Sequence, residues 1–311
     1  MRRMRLSKER LMKPCNIFQL QRLSVNDGDG IRTTVFFKGC ALRCQWCANP
    51  ESWSFDAQLM FFPHKCTGCG NCLVVCKQEA NVRNSAGEIN FISSNCVNCG
   101  ECLASCPADA RQVMGEELTI DEVMTQLKKD YIFYLESGGG VTFSGGEPFL
   151  HPEYLRLLNE KCHKLGINTA VESCAYFDFA VCQDIIANID QIFFDLKIMD
   201  SARHKQYTGV TNERILANIE AASKINGNII IRVPVITGVN DSEENMLALA
   251  KFLREKTSIT RVELLPYHKL GLEKMTALGM PAVVFETPSE AKMNELNTLL
   301  TREGIMTVSF K

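Results

Sequence analysis

The sequence predicts an α/β fold built on a parallel sheet, and two observations carry that expectation. Apolar, β-rich runs at 31–37, 140–144, 168–172, 192–197, 229–235 and 261–266 alternate with amphipathic stretches at 152–165, 179–189, 212–225, 242–255 and 289–303. Strands that alternate with helices imply parallel strands joined by right-handed crossovers. The second observation is a break in this rhythm: 56–112 holds eight cysteines and little periodicity. The chain is therefore expected to divide into 14–55, which begins the sheet, 56–112, a cysteine-rich insert, and 113–311, the remainder of the sheet.

The elements follow in order. The first run, IRTTVFF, leads through Gly39 into a group of cysteines. Pro152 and Ser289 stand where helices start, and Gly166 and Gly304 just past helix ends, the positions those residue types favour. In parallel α/β folds chemistry gathers at the C-terminal ends of strands. The first cysteines, the glycine-rich loop after Phe143, and Glu172, Lys197 and His268 all fall at such ends.

Composition narrows the function. Of 311 residues 46% are apolar, enough for a sizeable core, and 34 Lys plus Arg against 36 Asp plus Glu leave a net charge of −2. That balance argues against a nucleic-acid binder, which carries a basic stripe. No apolar run reaches the length of a membrane span. The basic start, MRRMRLSKERLMK, lacks the apolar stretch of a secretory signal and reads as a solvated tail. The chain has 15 cysteines, and most sit in tight groups at metal-ligand spacing rather than scattered as disulfide partners. A reducing, cytoplasmic setting is expected.

Cys40, Cys44 and Cys47 form C-x3-C-x2-C. Three thiolates can hold three irons of a [4Fe–4S] cube and leave the fourth iron open, as a catalytic metal requires. S-adenosylmethionine (SAM) can fill that position with its amino and carboxylate groups. Spacing alone also admits a zinc site or three buried thiols; the loop position after a strand favours the cluster.

Cys66, Cys69, Cys72 and Cys76 form C-x2-C-x2-C-x3-C, and Cys96, Cys99, Cys102 and Cys106 repeat it thirty positions later, with Pro107 completing a bacterial ferredoxin ending. Zinc ribbons use separated pairs, not two complete quartets. In two-cluster ferredoxins the fourth cysteine of each run serves the other cluster. One cluster is then expected on Cys66, Cys69, Cys72 and Cys106, the other on Cys96, Cys99, Cys102 and Cys76. Their role is electron relay or, alternatively, structure and docking. Arg232 lies inside an apolar strand, where a charge needs a partner; the SAM carboxylate would serve. Cys15, Cys162, Cys174 and Cys182 read as small buried hydrophobes.

The stretch DGDGIRTTVFFKGCALRCQWCANPE resembles the N-terminal signature of the glycyl-radical-enzyme activating enzymes of the radical SAM family, with Asp29 where Pro is usual. Asp tolerates turns, so the turn is expected to survive. The resemblance continues through Ser144-Gly145-Gly146-Glu147-Pro148, Asp195-Leu196-Lys197 and Leu264-Leu-Pro-Tyr-His268, and covers about residues 15–280. It implies a partial (β/α)6 radical SAM barrel with a small ferredoxin-like α+β insert, three [4Fe–4S] clusters, SAM and a monovalent cation. By the same resemblance the Gly145-Gly146-Glu147 loop faces the SAM amino group, Glu147 structuring the loop or bonding that group, and Glu172 stands where an Asp helps hold the cation. Asp195, Leu196 and Lys197 lie near the SAM carboxylate or that cation, and His268 on the ribose or adenine side. Trp46, with Cys47 and Ala48, shields the cluster or carries the adenine.

The implied activity is reductive cleavage of SAM and removal of a hydrogen atom from a backbone glycine of a partner glycyl radical enzyme. The two-cluster insert resembles that of activators of glycerol-, choline-, hydroxyphenylacetate- and benzylsuccinate-type enzymes, and the DGDG turn and the SGGGVTFSGGEP region lean toward the choline-lyase type. A flavodoxin or ferredoxin donor and a monomeric state are expected. Two alternatives remain open at this point: a radical SAM enzyme acting on a small molecule, and an electron-transfer iron–sulfur protein.

Overall fold

The computed structural model describes residues 13–310; the basic tail read above lies almost wholly outside them. The strands are β1 (Cys15–Ser24), β2 (Arg32–Phe37), β3 (Gln58–Phe61), β4 (Asn81–Arg83), β5 (Ile89–Phe91), β6 (Arg111–Met114), β7 (Glu116–Leu118), β8 (Gly140–Gly145), β9 (Asn168–Ser173), β10 (Gln191–Asp195), β11 (Ile229–Val235), β12 (Arg261–Pro266) and β13 (Met306–Thr307). The main sheet is ordered β13-β12-β11-β10-β9-β8-β2-β1-β7. From β2 to β13 every pairing is parallel, whereas β1 pairs antiparallel with both β2 and β7.

All six expected strands are present. Two features differ from the sequence reading. β10 stops at Asp195, so Lys197 lies just beyond the strand rather than in it. β1 and β7, which the sequence reading did not foresee, extend the sheet as antiparallel strands outside β2. The expected helices form as Pro152–Lys164, Phe179–Asn188, Glu213–Ser223, Glu243–Lys256 and Glu290–Arg302. Pro152 opens its helix, Ser289 Oγ accepts from Lys292 N at 3.2 Å, and Gly166 and Gly304 take φ of 70° and 80° past the helix ends. Among the described residues no helix is long and apolar enough to cross a membrane.

The two-residue period of strands sorts the sheet into two faces. Val141, Phe143, Val171, Ile192, Phe194, Ile231, Val233, Val262 and Leu264 point outward into the main core, where the helices contribute Leu155, Leu158, Ile185, Ile219 and Leu253. The alternate residues form the inner face. Its lower part is apolar: Ala170, Phe193 and Ile230 are fully buried beneath Val308 and Phe310, so the C-terminal segment lies inside the curve of the sheet. Its upper part carries Glu172, Asp195, Arg232 and Glu263, which therefore converge by register alone.

Between β2 and β7 the chain builds a second, smaller core. β3 pairs with β6, β4 with β5, and Leu59, Phe61, Ile89 and Phe91 pack with Cys72 and Cys102. The helix Leu270–Ala277 joins this lobe to the sheet: Ala277 and Leu278 pack on Met60, and Glu273 pairs with His64 at 3.1 Å.

Candidate functional site

The loop after β2 is fixed from three sides. Gly39 takes φ of 96°, its N–H donates to Ser52 O at 2.7 Å, and its carbonyl accepts from Glu147 N at 2.8 Å. Arg43 N and Gln45 N donate to Thr208 O and Tyr207 O at 2.7 and 3.0 Å. The buried Lys38 ammonium donates to Glu51 O, and Lys274 donates to the Glu51 carboxylate at 2.5 Å. A Cβ on Gly146 would lie 2.3 Å from Gly39 O, so only glycine lets β8 end against this loop.

Helix Leu270–Ala277 closes in as tightly: a Cβ on Gly271 would meet Cys47 O at 2.0 Å. Gly271→Ala is therefore expected to displace the loop, destabilise the chain by about 1–3 kcal/mol and reduce iron binding at Cys40, Cys44 and Cys47. Iron analysis after reconstitution and denaturant unfolding measure both effects.

The loop and the strand ends enclose a cavity of about 470 Å³. Its walls include Cys40, Cys44, Cys47, Trp46, Ala48, Gly145, Gly146, Glu172, Asp195, Lys197, Arg232 and His268. Burial pushes the Cys44 and Cys47 thiols up, Cys47 to about 11, while a hydrogen bond with Cys174 pulls Cys40 down. Buried thiols of this kind ionise against a cation, which is what a bound metal group provides. Burial would lower the Lys197 ammonium, but the Asp195 carboxylate, 2.8 Å away, holds it up as a charged group at the cavity wall. His268 is solvent-exposed and lies parallel to Tyr267 with ring centroids 6.5 Å apart. Trp46 packs against Phe285 and Tyr207.

For Glu147 the packing supports the loop-structuring role, and the expectations for Leu196 and Arg232 need correction. Glu147 does not line the cavity; it is fully buried and accepts from Cys174 N at 2.8 Å, Ser173 Oγ at 2.9 Å and Phe149 N at 3.2 Å. It braces the glycine loop, with its carboxyl pushed up to about 7 by burial. Leu196 points into the main core. Arg232 needs no ligand as partner: it donates to Glu172, to Glu263 at 2.7 Å and to Asn26 O at 3.0 Å. Burial would lower this guanidinium, and the two carboxylates hold it up. Burial pushes Glu172 up to about 7 against the pull of Arg232, and Ser144 Oγ donates to it at 2.5 Å.

Sequence reading also missed Cys174. Its thiol is buried as expected, yet it lines the cavity and donates to Glu147 at 2.9 Å. Its place just past β9, beside Glu172, was the available signal. Asp27, in the DGDG turn, also reaches the cavity and accepts from Ser24 at 2.7 Å and Thr34 at 2.5 Å. The turn itself forms with Asp29 in it, between Gly28 and Gly30 at φ of 123° and 68°.

In the small lobe two further cavities open. One is ringed by Cys76, Cys96, Cys99 and Cys102, the other by Cys66, Cys69, Cys72 and Cys106. Each ring thus takes three cysteines from one repeat and the fourth from the other. Gly68 N and Asn98 N donate to Cys66 Sγ and Cys96 Sγ, both at 3.4 Å. Among the described residues no three His, Cys, Asp or Glu side chains converge closely enough to grip a single metal ion.

Residues 34–250 match the radical SAM superfamily, and the chain belongs to it. Within that superfamily it is a member of the activating enzymes of glycyl radical enzymes. It is 43% identical over 298 residues to the 4-hydroxyphenylacetate decarboxylase activating enzyme of Clostridioides difficile, covering 93% of this chain and 94% of that one. It is 41% identical to the choline trimethylamine-lyase activating enzyme of Oleidesulfovibrio alaskensis (85% and 86% covered) and 40% identical to the (2S)-3-sulfopropanediol dehydratase activating enzyme of Klebsiella oxytoca (86% of each). A radical SAM methyltransferase from Sphaerobacter thermophilus shares the fold, with a TM-score of 0.52 over 99% of this chain and 81% of that one at 15% identity.

Proposed function

We propose that the cavity at Cys40, Cys44 and Cys47 holds a [4Fe–4S] cluster and SAM, and that the chain acts on a backbone glycine of a partner enzyme. The observation that carries this is the convergence of three loop cysteines with a glycine ledge and a fixed ammonium on one cavity, in a chain similar along its length to activating enzymes. When bound, the cluster and SAM supply one-electron cleavage of a sulfonium C–S bond and hydrogen-atom abstraction. The chain supplies the placement. Gly145 and Gly146 offer bare backbone to the ligand, Lys197, steadied by Asp195, faces its carboxylate, and Trp46 and His268 flank its adenosine end. The ion-paired Arg232 and Glu172 form a rigid wall rather than a ligand grip. No step requires a general acid or base.

Residues 56–112 serve as a ferredoxin-like insert with two more [4Fe–4S] clusters that relay electrons from a flavodoxin or ferredoxin. The chain works as a monomer in a reducing cytoplasm. The relatives are named for chemically different partner enzymes at 40–43% identity, so likeness alone does not select one. A choline-lyase or glycerol-dehydratase type is our reading.

The test is anaerobic incubation of reconstituted protein with SAM, a reductant and candidate glycyl radical enzymes. A glycyl radical signal by electron paramagnetic resonance in one partner is the expected result. SAM cleavage without a radical in any candidate would favour action on a small molecule.

A further inference from the structure

The two rings of cysteines in the small lobe are near copies, but at one buried position the equivalent residues differ in charge, whereas Lys77 and Glu101, the charged residues of opposite sign at the other cavity, are exposed. The repeat places Asn81 and Arg111 at matching positions, five residues past Cys76 and Cys106. Asn81 lines the cavity of Cys76, Cys96, Cys99 and Cys102; Arg111 lines that of Cys66, Cys69, Cys72 and Cys106. At this buried position a neutral amide in one cavity is thus matched by a permanent cation in the other.

Arg111 is only 2% exposed. Its guanidinium lies over the rings of Phe61 and Phe91, at 4.4 and 5.6 Å from their centroids, and donates through Nη2 to Cys72 Sγ at 3.5 Å. Nη1 is buried with no hydrogen-bond partner in the polypeptide. A buried charge needs a counter-charge, and a buried donor needs an acceptor. Four thiolates around an iron–sulfur core provide both, because such a group is anionic and its sulfurs accept hydrogen bonds. Charge and hydrogen bonds to sulfur are among the factors that set cluster potentials.

We propose that Arg111 makes the two insert clusters inequivalent, raising the reduction potential of the one on Cys66, Cys69, Cys72 and Cys106 above that of its twin. An electron supplied from outside reduces that cluster by one unit; Arg111 stays protonated and compensates the added negative charge without a proton transfer. The electron entering the lobe therefore comes to rest on a defined side. This rests on the reading of the insert as a two-cluster unit.

The experiment uses the full chain with Cys40, Cys44 and Cys47 replaced by alanine, so that only the insert clusters are read. Iron content tests the reading it rests on: a plateau near zero would remove the two clusters themselves. With about eight irons bound, potentiometric titration with dithionite followed by electron paramagnetic resonance tests Arg111. The expected result is two resolved one-electron couples. Arg111→Asn, which makes the repeats alike, should lower one couple by at least about 59 mV, a tenfold change in its reduced-to-oxidised ratio, and bring the two together. Arg111→Lys should retain most of the separation. Arg111→Met, a neutral side chain of similar length, is read alongside; it should behave as Asn does and binds iron where Asn leaves a void. Overlapping couples in the parent protein, or unchanged couples in a fully loaded Asn or Met variant, would overturn the proposal.

Discussion

Replacing Cys40, Cys44 and Cys47 together by alanine is expected to abolish SAM cleavage while removing only about four of about twelve irons per chain. The three thiols line a different cavity from the two rings of the small lobe, on a loop held by Ser52, Thr208 and Tyr207. Their loss should leave both rings of insert cysteines intact. Iron and sulfide analysis of anaerobically reconstituted protein, with product analysis for methionine, measures both parts. Saturation of the unaltered protein at four irons would show that the lobe carries no clusters. Residual cleavage in the triple variant would place the reactive cluster elsewhere.

The second large effect is expected at Arg232. Its guanidinium, 5% exposed, is shared between Glu172 and Glu263. Arg232→Met should strand two carboxylates on the inner face and cost about 3–5 kcal/mol of stability, the range for breaking a buried ion pair from one side. Denaturant unfolding of cofactor-free protein measures this without any contribution from SAM. Adding Glu263→Gln to the variant should restore part of the loss. A cofactor-free variant as stable as the parent would return Arg232 to the role of ligand contact that the sequence first suggested.

That case shows where sequence reading stops. The charge inside IIIRVPV was visible, and so was its need for a partner. The partner was not, because Glu263 lies opposite Arg232 only through the register of β11 on β12. Runs such as QIFFD and IIIRVPV disclosed central strands because both faces are buried. β1 stayed hidden because CNIFQLQRLS mixes buried and exposed positions without a clean period, and β7 because its three residues, EEL, are mostly charged. The helix Leu270–Ala277 is short and only weakly patterned, yet it is the piece that presses on Cys47. The grouping of the insert cysteines came from the ferredoxin rule that the fourth cysteine of each run serves the other cluster, and that these rings hold clusters is part of the proposal.

The C-terminal segment inside the sheet has a consequence for how the cavity meets solvent. Phe310 stands edge-on to Phe193, its N–H donates to Glu263 at 3.0 Å, and Val308 N donates to Val262 O at 2.9 Å. These contacts cover the inner face of the sheet at Ala170, Phe193 and Ile230, all three fully buried. For radical chemistry this is a matter of confinement: a reactive carbon centre generated above such a cover meets only what comes in through the mouth. Chains shortened ahead of Val308 would turn a closed-ended vessel into an open tube.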